Sequence, residues 1–286
     1  MNKAWLKWLL CLPCLALAEL RVVYPIPESP NDRRFDDVLE ILQSALAATE
    51  DDYGPFRLEP ARQAMTSLRY SQELMARRMP NVIWTSTSPD REAALRPIRI
   101  PLRKGLLSYR LGFIHAEQQA LFDRIHSLTD LQPLTLVQGI GWGDILIYEE
   151  NDIKVQTAPY ESLFYMITTG RADYFPRGVG EIFQEYETRR DEIPGLAIES
   201  DLLLYYPWPY YFFVHKDDDL LAERLETGLR RLITDGTFDE IFWRYNGNSI
   251  ERAQLDRRRV IELDNHLLPE ATPLDDDSLW YRPGAP

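Results

Sequence analysis

The sequence predicts an α/β protein of two lobes joined by two crossover segments, and three observations carry that prediction. Strand-like and helix-like segments alternate through most of the chain. The alternation restarts after a long extended run, Gly105 to Ile114, and a second apolar run, Asp201 to Val214, leads back. The 286 residues, 45% hydrophobic and 27% charged, supply apolar material for a core in each of two domains and exclude disordered, collagen-like and coiled-coil classes.

Leu20 to Tyr24 is a short β-rich run closed by Pro25 and Pro27, and the helix that follows carries Phe35, Val38, Leu39, Leu42 and Leu46 along one face. Phe56 to Leu58 is a second strand. Thr66 to Arg78 is a helix with Leu68, Leu74 and Met75 inward, and Asn81 to Trp84 is a third strand. This βαβαβ rhythm implies a mainly parallel sheet with helices on both faces. Beyond Ile114 the expected order is a helix near Gln118 to Ile125, a strand at Leu134 to Val137 and a helix around Trp142 to Glu149. A strand at Lys154 to Gln156, a helix at Tyr160 to Thr169 and a strand at Ala172 to Phe175 complete the second unit. Asp201 to Val214, broken by Pro207 and Pro209, returns as a crossover that ends in a buried strand. Leu220 to Thr234 is strongly periodic, with Leu221, Leu225, Leu229, Leu232 and Ile233 inward. Asp235-Gly236 stops it, and Thr237 caps a further helix, Phe238 to Tyr245. The tail from Pro269 shows no period, and either wraps the first lobe or is partly mobile. The expected boundaries are residues 19–110 and 205–286 for the first lobe and 111–204 for the second.

At the N-terminus, Lys3 and Lys7 precede an apolar run to Ala18, and Ala16-Leu17-Ala18 offers small residues for cleavage before Glu19. Residues 1–18 thus read as a secretory signal peptide, which places the mature chain in the periplasm with no membrane insertion. The run of about 11 apolar residues falls short of the roughly 20 that span a bilayer. Both cysteines, Cys11 and Cys14, lie within it, so thiol nucleophiles, disulfides and Cys-ligated metals are not expected of the mature protein. Leu10 and Pro13 precede them where a lipoprotein signal has a small residue.

The net charge of −13 repels nucleic acid and anionic membranes, while a few arginines in a cleft can still reverse the sign locally. His115, His126, His215 and His266 lack metal-ligand spacing, and no motif frames a serine nucleophile. No catalytic residue, metal or cofactor is therefore assigned.

The order of elements, the segment Thr87-Ser88-Pro89-Asp90-Arg91 after the third strand, and the ending Asp235-Gly236-Thr237-Phe238-Asp239-Glu240-Ile241-Phe242 resemble family 3 extracellular solute-binding proteins. These are the polar amino acid binding proteins of bacterial ABC transporters, and the resemblance runs from Glu19 to about Gly247. It implies the periplasmic binding protein-like II fold and a monomer that takes a small ligand between its lobes and hands it to an ABC permease or to the periplasmic part of a sensor. In that family an arginine after a Thr-x-x-x-Arg-like stretch grips the ligand carboxylate. Arg91 matches it, with Ser86 as a hydroxyl or amide partner. The second lobe answers with a glycine-containing turn at a helix start, matched here by Val137 to Asp144 and specifically by Gly139, Gly141 and Trp142. Tyr24, Trp84 and Trp142, with Tyr160 and Phe175, are candidates for an apolar sandwich around the ligand.

One departure stands out. Where amino-acid binders usually place an Asp for the ligand ammonium, the chain reads Arg171-Ala172-Asp173-Tyr174-Phe175-Pro176-Arg177-Gly178. An arginine there repels an ammonium, so the expected ligand is anionic, held between Arg91 and Arg177; the structural alternative for Arg177 is an ion pair with Glu181 or Asp144. Two other readings stay open. One is a dehydratase-like enzyme on the same fold, with Glu181 or Asp144 as the acid. The other is a non-binding interaction module whose cleft is plugged by Trp84 or Trp142.

Overall fold

A computed structural model describes residues 19–27 and 34–284. The expected signal peptide, residues 1–18, lies outside the described residues.

The first lobe opens with β1 (Leu20–Tyr24), α1 (Asp36–Ala47), α2 (Glu50–Tyr53), β2 (Phe56–Pro60), α3 (Ser67–Met75), β3 (Val82–Ser86), α4 (Pro89–Ala94) and β4 (Leu95–Ile98). The second comprises β5 (Tyr109–His115), α5 (Gln119–Phe122), α6 (Leu128–Leu131), β6 (Thr135–Gly139), α7 (Ile145–Glu150), β7 (Lys154–Ala158), α8 (Tyr160–Thr168), β8 (Phe175–Gly178), α9 (Val179–Arg189) and β9 (Leu196–Ile198). The chain then returns through β10 (Leu202–Tyr205), β11 (Tyr210–His215), α10 (Asp219–Thr234), α11 (Thr237–Ala253) and β12 (Arg259–Glu262).

Strand pairing is mixed where a mainly parallel sheet was expected. β1 with β2, β6 with β7 and β10 with β12 run parallel. β11, however, lies antiparallel between β3 and β4, and β5 is antiparallel to β8, β9 and β10. The physical reason is the double crossover: β5 carries the chain away from the first lobe and β10 and β11 bring it back, so β5 and β10 run against each other and β11 runs against β3 and β4.

In the first-lobe core, α1 and α10 pack on the β3-β11-β4 sheet through Val38, Leu42, Leu225, Leu229 and Phe212, all fully buried. Gly228 allows a close crossing, since a Cβ there would overlap the Ala45 carbonyl. Buried Arg224 closes the end of α1, donating to the carbonyls of Leu46 at 3.2 Å and Gly54 at 2.8 Å and to Thr49 Oγ1 at 3.1 Å. The Leu46 carbonyl lies in the last turn of α1 and Gly54 ends α2, so both carbonyls belong to helix C-termini.

Several expected elements are corrected. On α3, Tyr70 and Leu74, four residues apart, take the core face, while Leu68 (65% exposed) and Met75 (41%) point away. The helix expected from Trp142 begins at Ile145, because Trp142 turns back to donate its amide to the Gly139 carbonyl at 3.1 Å. The strand expected at Ala172 to Phe175 pairs instead over Phe175–Gly178. The helix expected near Gln118 to Ile125 shortens to a single turn, α5, and the helix expected to end at Tyr245 continues to Ala253.

The described part of the tail touches more than the first lobe. β12 extends the crossover sheet, and Asp264 exchanges hydrogen bonds with Asn151 of the second lobe at 2.8 and 3.0 Å. Trp280 then buries itself against Gly105, whose bare Cα leaves room for the indole. The Tyr281 amide donates to Lys104 O at 2.7 Å, and its carbonyl accepts from Tyr109 Oη at 3.1 Å. Tyr109 in turn packs on Tyr205 with ring centroids 5.0 Å apart, so the tail lies against the bases of both crossovers.

Candidate functional site

A cleft of about 260 Å³ lies between the lobes. Of the residues singled out in the sequence, Tyr24, Trp84, Ser86, Arg91, Gly141, Trp142 and Arg177 line it; Gly139 stands behind Trp142. Neither indole fills the cleft.

Local sequence sets the position of Arg91. β3 ends at Ser86, and Ser88 caps α4 by accepting the Arg91 amide at 3.2 Å, with Pro89 pre-shaped for the first helical turn. The guanidinium folds back to donate from Nη1 to the Ser86 carbonyl at 2.5 Å and to Ser86 Oγ at 3.5 Å. Glu92, the adjacent acid, is turned aside: it accepts from Thr87 Oγ1 at 2.5 Å and pairs with Arg99 at 2.5 Å. Among the described residues no carboxylate forms an ion pair with Arg91. Burial moves its pKa down from the usual arginine value, the sign of a cation with little countercharge.

Arg177 is the opposite case. It is 3% exposed, and Nε and Nη2 grip Glu185 at 2.7 and 2.6 Å while Nη2 also lies 3.2 Å from Glu181. Trp142 covers it, with the guanidinium carbon 4.7 Å from the ring centroid, and Phe175 flanks it at 5.3 Å. The positive end of Arg177 is therefore neutralised inside the second lobe. Of the partners considered from sequence, Glu181 participates and Asp144 does not, and the principal partner, Glu185, was not foreseen. Tyr160 backs the pair by donating to Glu185 Oε1 at 2.6 Å.

The glycine turn also differs from expectation. Gly141 supplies the positive φ of 77° that the bend requires, and Gly139 lacks the Cβ that would overlap the Trp142 indole. The helix it leads to, α7, has only six residues and opens on Asp144, whose carboxylate lies 3.3 Å from Arg110 and accepts from Tyr206 Oη at 3.1 Å. The Asp144 side chain makes no cap hydrogen bond to α7 and is engaged by Arg110 and Tyr206 instead.

Sequence reasoning missed Arg110, Trp208 and Tyr210, which complete the cleft floor. Arg110 is 4% exposed, within 3.9 Å of Glu181 as well as 3.3 Å of Asp144, and its Nε has no partner. The signal was available: a lone arginine within GLLSYRLGFI is a charge in a buried strand, and buried charges are paired or put to use. Burial works against the charge of Glu181, yet Arg177, Arg110, Arg34 and Arg103 together hold its carboxyl below the usual range. Ser86 and Gly143 meet across the cleft: a Cβ on Gly143 would stand 3.1 Å from Ser86 Oγ and 3.2 Å from the Trp208 ring. Among the described residues no group of three or more His, Cys, Asp or Glu is placed to hold a metal ion.

Two α/β lobes, two crossover strands and a ligand-sized cleft between them define the type II periplasmic binding fold, the architecture expected from the sequence. Solved structures share it. An ancestral arginine-binding protein bound to arginine superposes with a TM-score of 0.56 and 18% identity, over 79% of this chain and 97% of that one. A putative ABC-transporter binding component from Wolinella succinogenes, complexed with lysine, gives 0.59 and 17%, over 80% and 95%. An ancestral amino-acid-binding protein described as a precursor of cyclohexadienyl dehydratase gives 0.56 and 15%, over 80% and 95%. No family model matches the sequence, and no curated protein matches it.

Proposed function

We propose that this chain is an exported, monomeric solute-binding protein, not an enzyme, that captures a small anionic solute between its lobes for ABC-type uptake or for a sensor. The observation that carries the reading is Arg91: a cation on the cleft wall, held in place by Ser86 and Ser88, with its neighbouring acid diverted to Arg99. A guanidinium presents a planar fork to a carboxylate, and charge-assisted bonds of this kind contribute about 1.5 to 3 kcal/mol each. Arg177 serves the site indirectly, by stiffening the Trp142 wall. The lobes named here, residues 19–110 with 205–286 and residues 111–204, close on the solute because it touches both, and only such differential contact shifts an open–closed equilibrium.

The fold neighbours whose ligands are arginine, glutamine and lysine suggest amino acids as competitors for the site. Of the acids that line the cleft, Glu181 and Asp144 each already face Arg110, and Asp36 is engaged as well. The dehydratase reading, prompted by the third neighbour, requires a protonated acid near neutral pH, whereas Glu181 is held ionised by four arginines.

The test is a thermal-shift screen of amino acids, mono- and dicarboxylates and phosphates against the wild type and Arg91→Ala. A ligand at 100 times its Kd adds about 2.7 kcal/mol of stability. The expected result is stabilisation by one or more anions that disappears in Arg91→Ala. Hits confined to cationic or neutral amino acids, or hits indifferent to Arg91, would refute the proposal.

A further inference from the structure

The two ends of the cleft differ in chemistry. Its inner end gathers Arg91, Arg110, Arg177, Asp144 and Glu181, and Arg34 and Asp36, each with a partner of its own, also line the cleft. Its outer end, on the first lobe, carries several apolar side chains that no core claims fully, with Asp36 one turn before Leu39 on α1 and Ser67 beside Leu68. Leu39 is half-buried on α1, although its neighbours Val38, Ile41 and Leu42 are sunk into the core. Leu68 stands 65% exposed on the first turn of α3, opposite the core face of that helix, and Met65 and Ile26 are half-buried beside it. Trp84 connects the two ends, stacked on Tyr24 with centroids 6.4 Å apart and planes at 25°.

A polar amino acid bound through Arg91 would leave Leu39, Met65 and Leu68 facing water or a charged side chain. Neither outcome uses them. Contiguous apolar surface rimmed by a few convergent polar groups is the ordinary composition of a site for a ligand with a hydrophobic body. The cleft's volume of about 260 Å³ leaves room for an aryl group on a short acid chain.

We infer that the solute is an amphipathic organic acid, with its carboxylate on Arg91 and an aryl or branched hydrocarbon body lying along Trp84 toward Leu39, Met65 and Leu68. This deepens the solute-binding reading and rests on it. The two are separated by titrating the full mature chain with 3-phenylpropionate, propionate, succinate and the uncharged 3-phenylpropan-1-ol in a calorimeter. The wild type, Arg91→Ala and Leu68→Asn are compared; Leu68 is exposed, so its replacement leaves folding intact.

The expected result is that 3-phenylpropionate binds at least tenfold more tightly than propionate or succinate. Leu68→Asn should weaken it about fivefold without affecting succinate, and Arg91→Ala should abolish it. Succinate or propionate binding as tightly as the aryl acid, through Arg91, would overturn this inference and leave the anion-binding proposal standing. The alcohol binding as well as the acid, with Arg91→Ala neutral, would overturn the anionic assignment. Absence of binding by all four probes would overturn both.

Discussion

Two arginines face one cleft, and the structure predicts opposite consequences for removing them. Arg177 is held by two charge-assisted bonds of 2.6 and 2.7 Å to Glu185, with Glu181 3.2 Å away and Trp142 over its face. Arg177→Ala leaves Glu185, 6% exposed, with Tyr160 as its remaining side-chain hydrogen-bond donor, and opens a void beneath Trp142. Breaking one side of a buried ion pair costs about 3 to 5 kcal/mol. For a protein of this size each kcal/mol lowers the Tm by about 2 to 4 °C, so a drop of roughly 6 °C or more is expected. Arg91→Ala removes bonds to Ser86 only, worth about 1 kcal/mol, and relieves the burial of a cation without a carboxylate partner. Its Tm should stay within ~3 °C of wild type while ligand binding is lost. The assay is differential scanning calorimetry on both variants with and without a hit from the screen. Equal melting of the two variants, or an Arg177→Ala protein as stable as wild type, would show that the division between a structural and a ligand-facing arginine is mistaken.

Gly228→Ala should destabilise by about 1 to 3 kcal/mol in urea unfolding, because the new methyl group meets the Ala45 carbonyl, a backbone atom that no rotamer change can move aside. Trp280→Ala empties a buried indole site on Gly105 and is expected to cost about 3 to 5 kcal/mol, measured by the same titration. The depressed pKa of Glu181 contributes stability that is complete above the unfolded carboxyl pKa of about 4.3 and is lost as pH falls through the lower folded value. Glu181→Gln should therefore flatten the acid limb of a stability–pH curve, and an unchanged limb would count against the four-arginine account.

Much of the fold was legible because its helices and central strands obey simple periods. α10 carries Leu221, Leu225, Leu229 and Leu232 on one stripe, and β11 is a run of aromatics that has nowhere to go but inside. What escaped were elements whose pattern is interrupted by buried charge or by exposure. α9 places Glu185 on its inner face beside Val179 and Ile182, which breaks the apolar period, and β12 is a short edge strand with Val260 half in solvent. α4 was hidden for another reason: its six residues are set by a capping serine and a proline instead of a hydrophobic stripe. The site divided along the same line. Trp84 and Ser86 lie on β3, Arg91 and Trp142 follow the ends of β3 and β6, and all four were readable from position. The fate of Arg177 depended on Glu185, eight residues on and across a strand-to-helix turn, which linear spacing does not bring together. The apolar outer wall was misread for the converse reason, since Leu68 in a helical pattern suggests a core contact until the core is seen to be filled by Tyr70 and Leu74.

The terminal segment that ends on Trp280 and Tyr281 is stitched to the roots of both connecting strands, through Lys104 and Tyr109 on one side and through Tyr205 on the other. Any swing of one half against the other must therefore drag this strip of chain along or tear it from a tyrosine. On the proposed reading, the width to which the cleft can gape is thereby limited by side chains that do not line it.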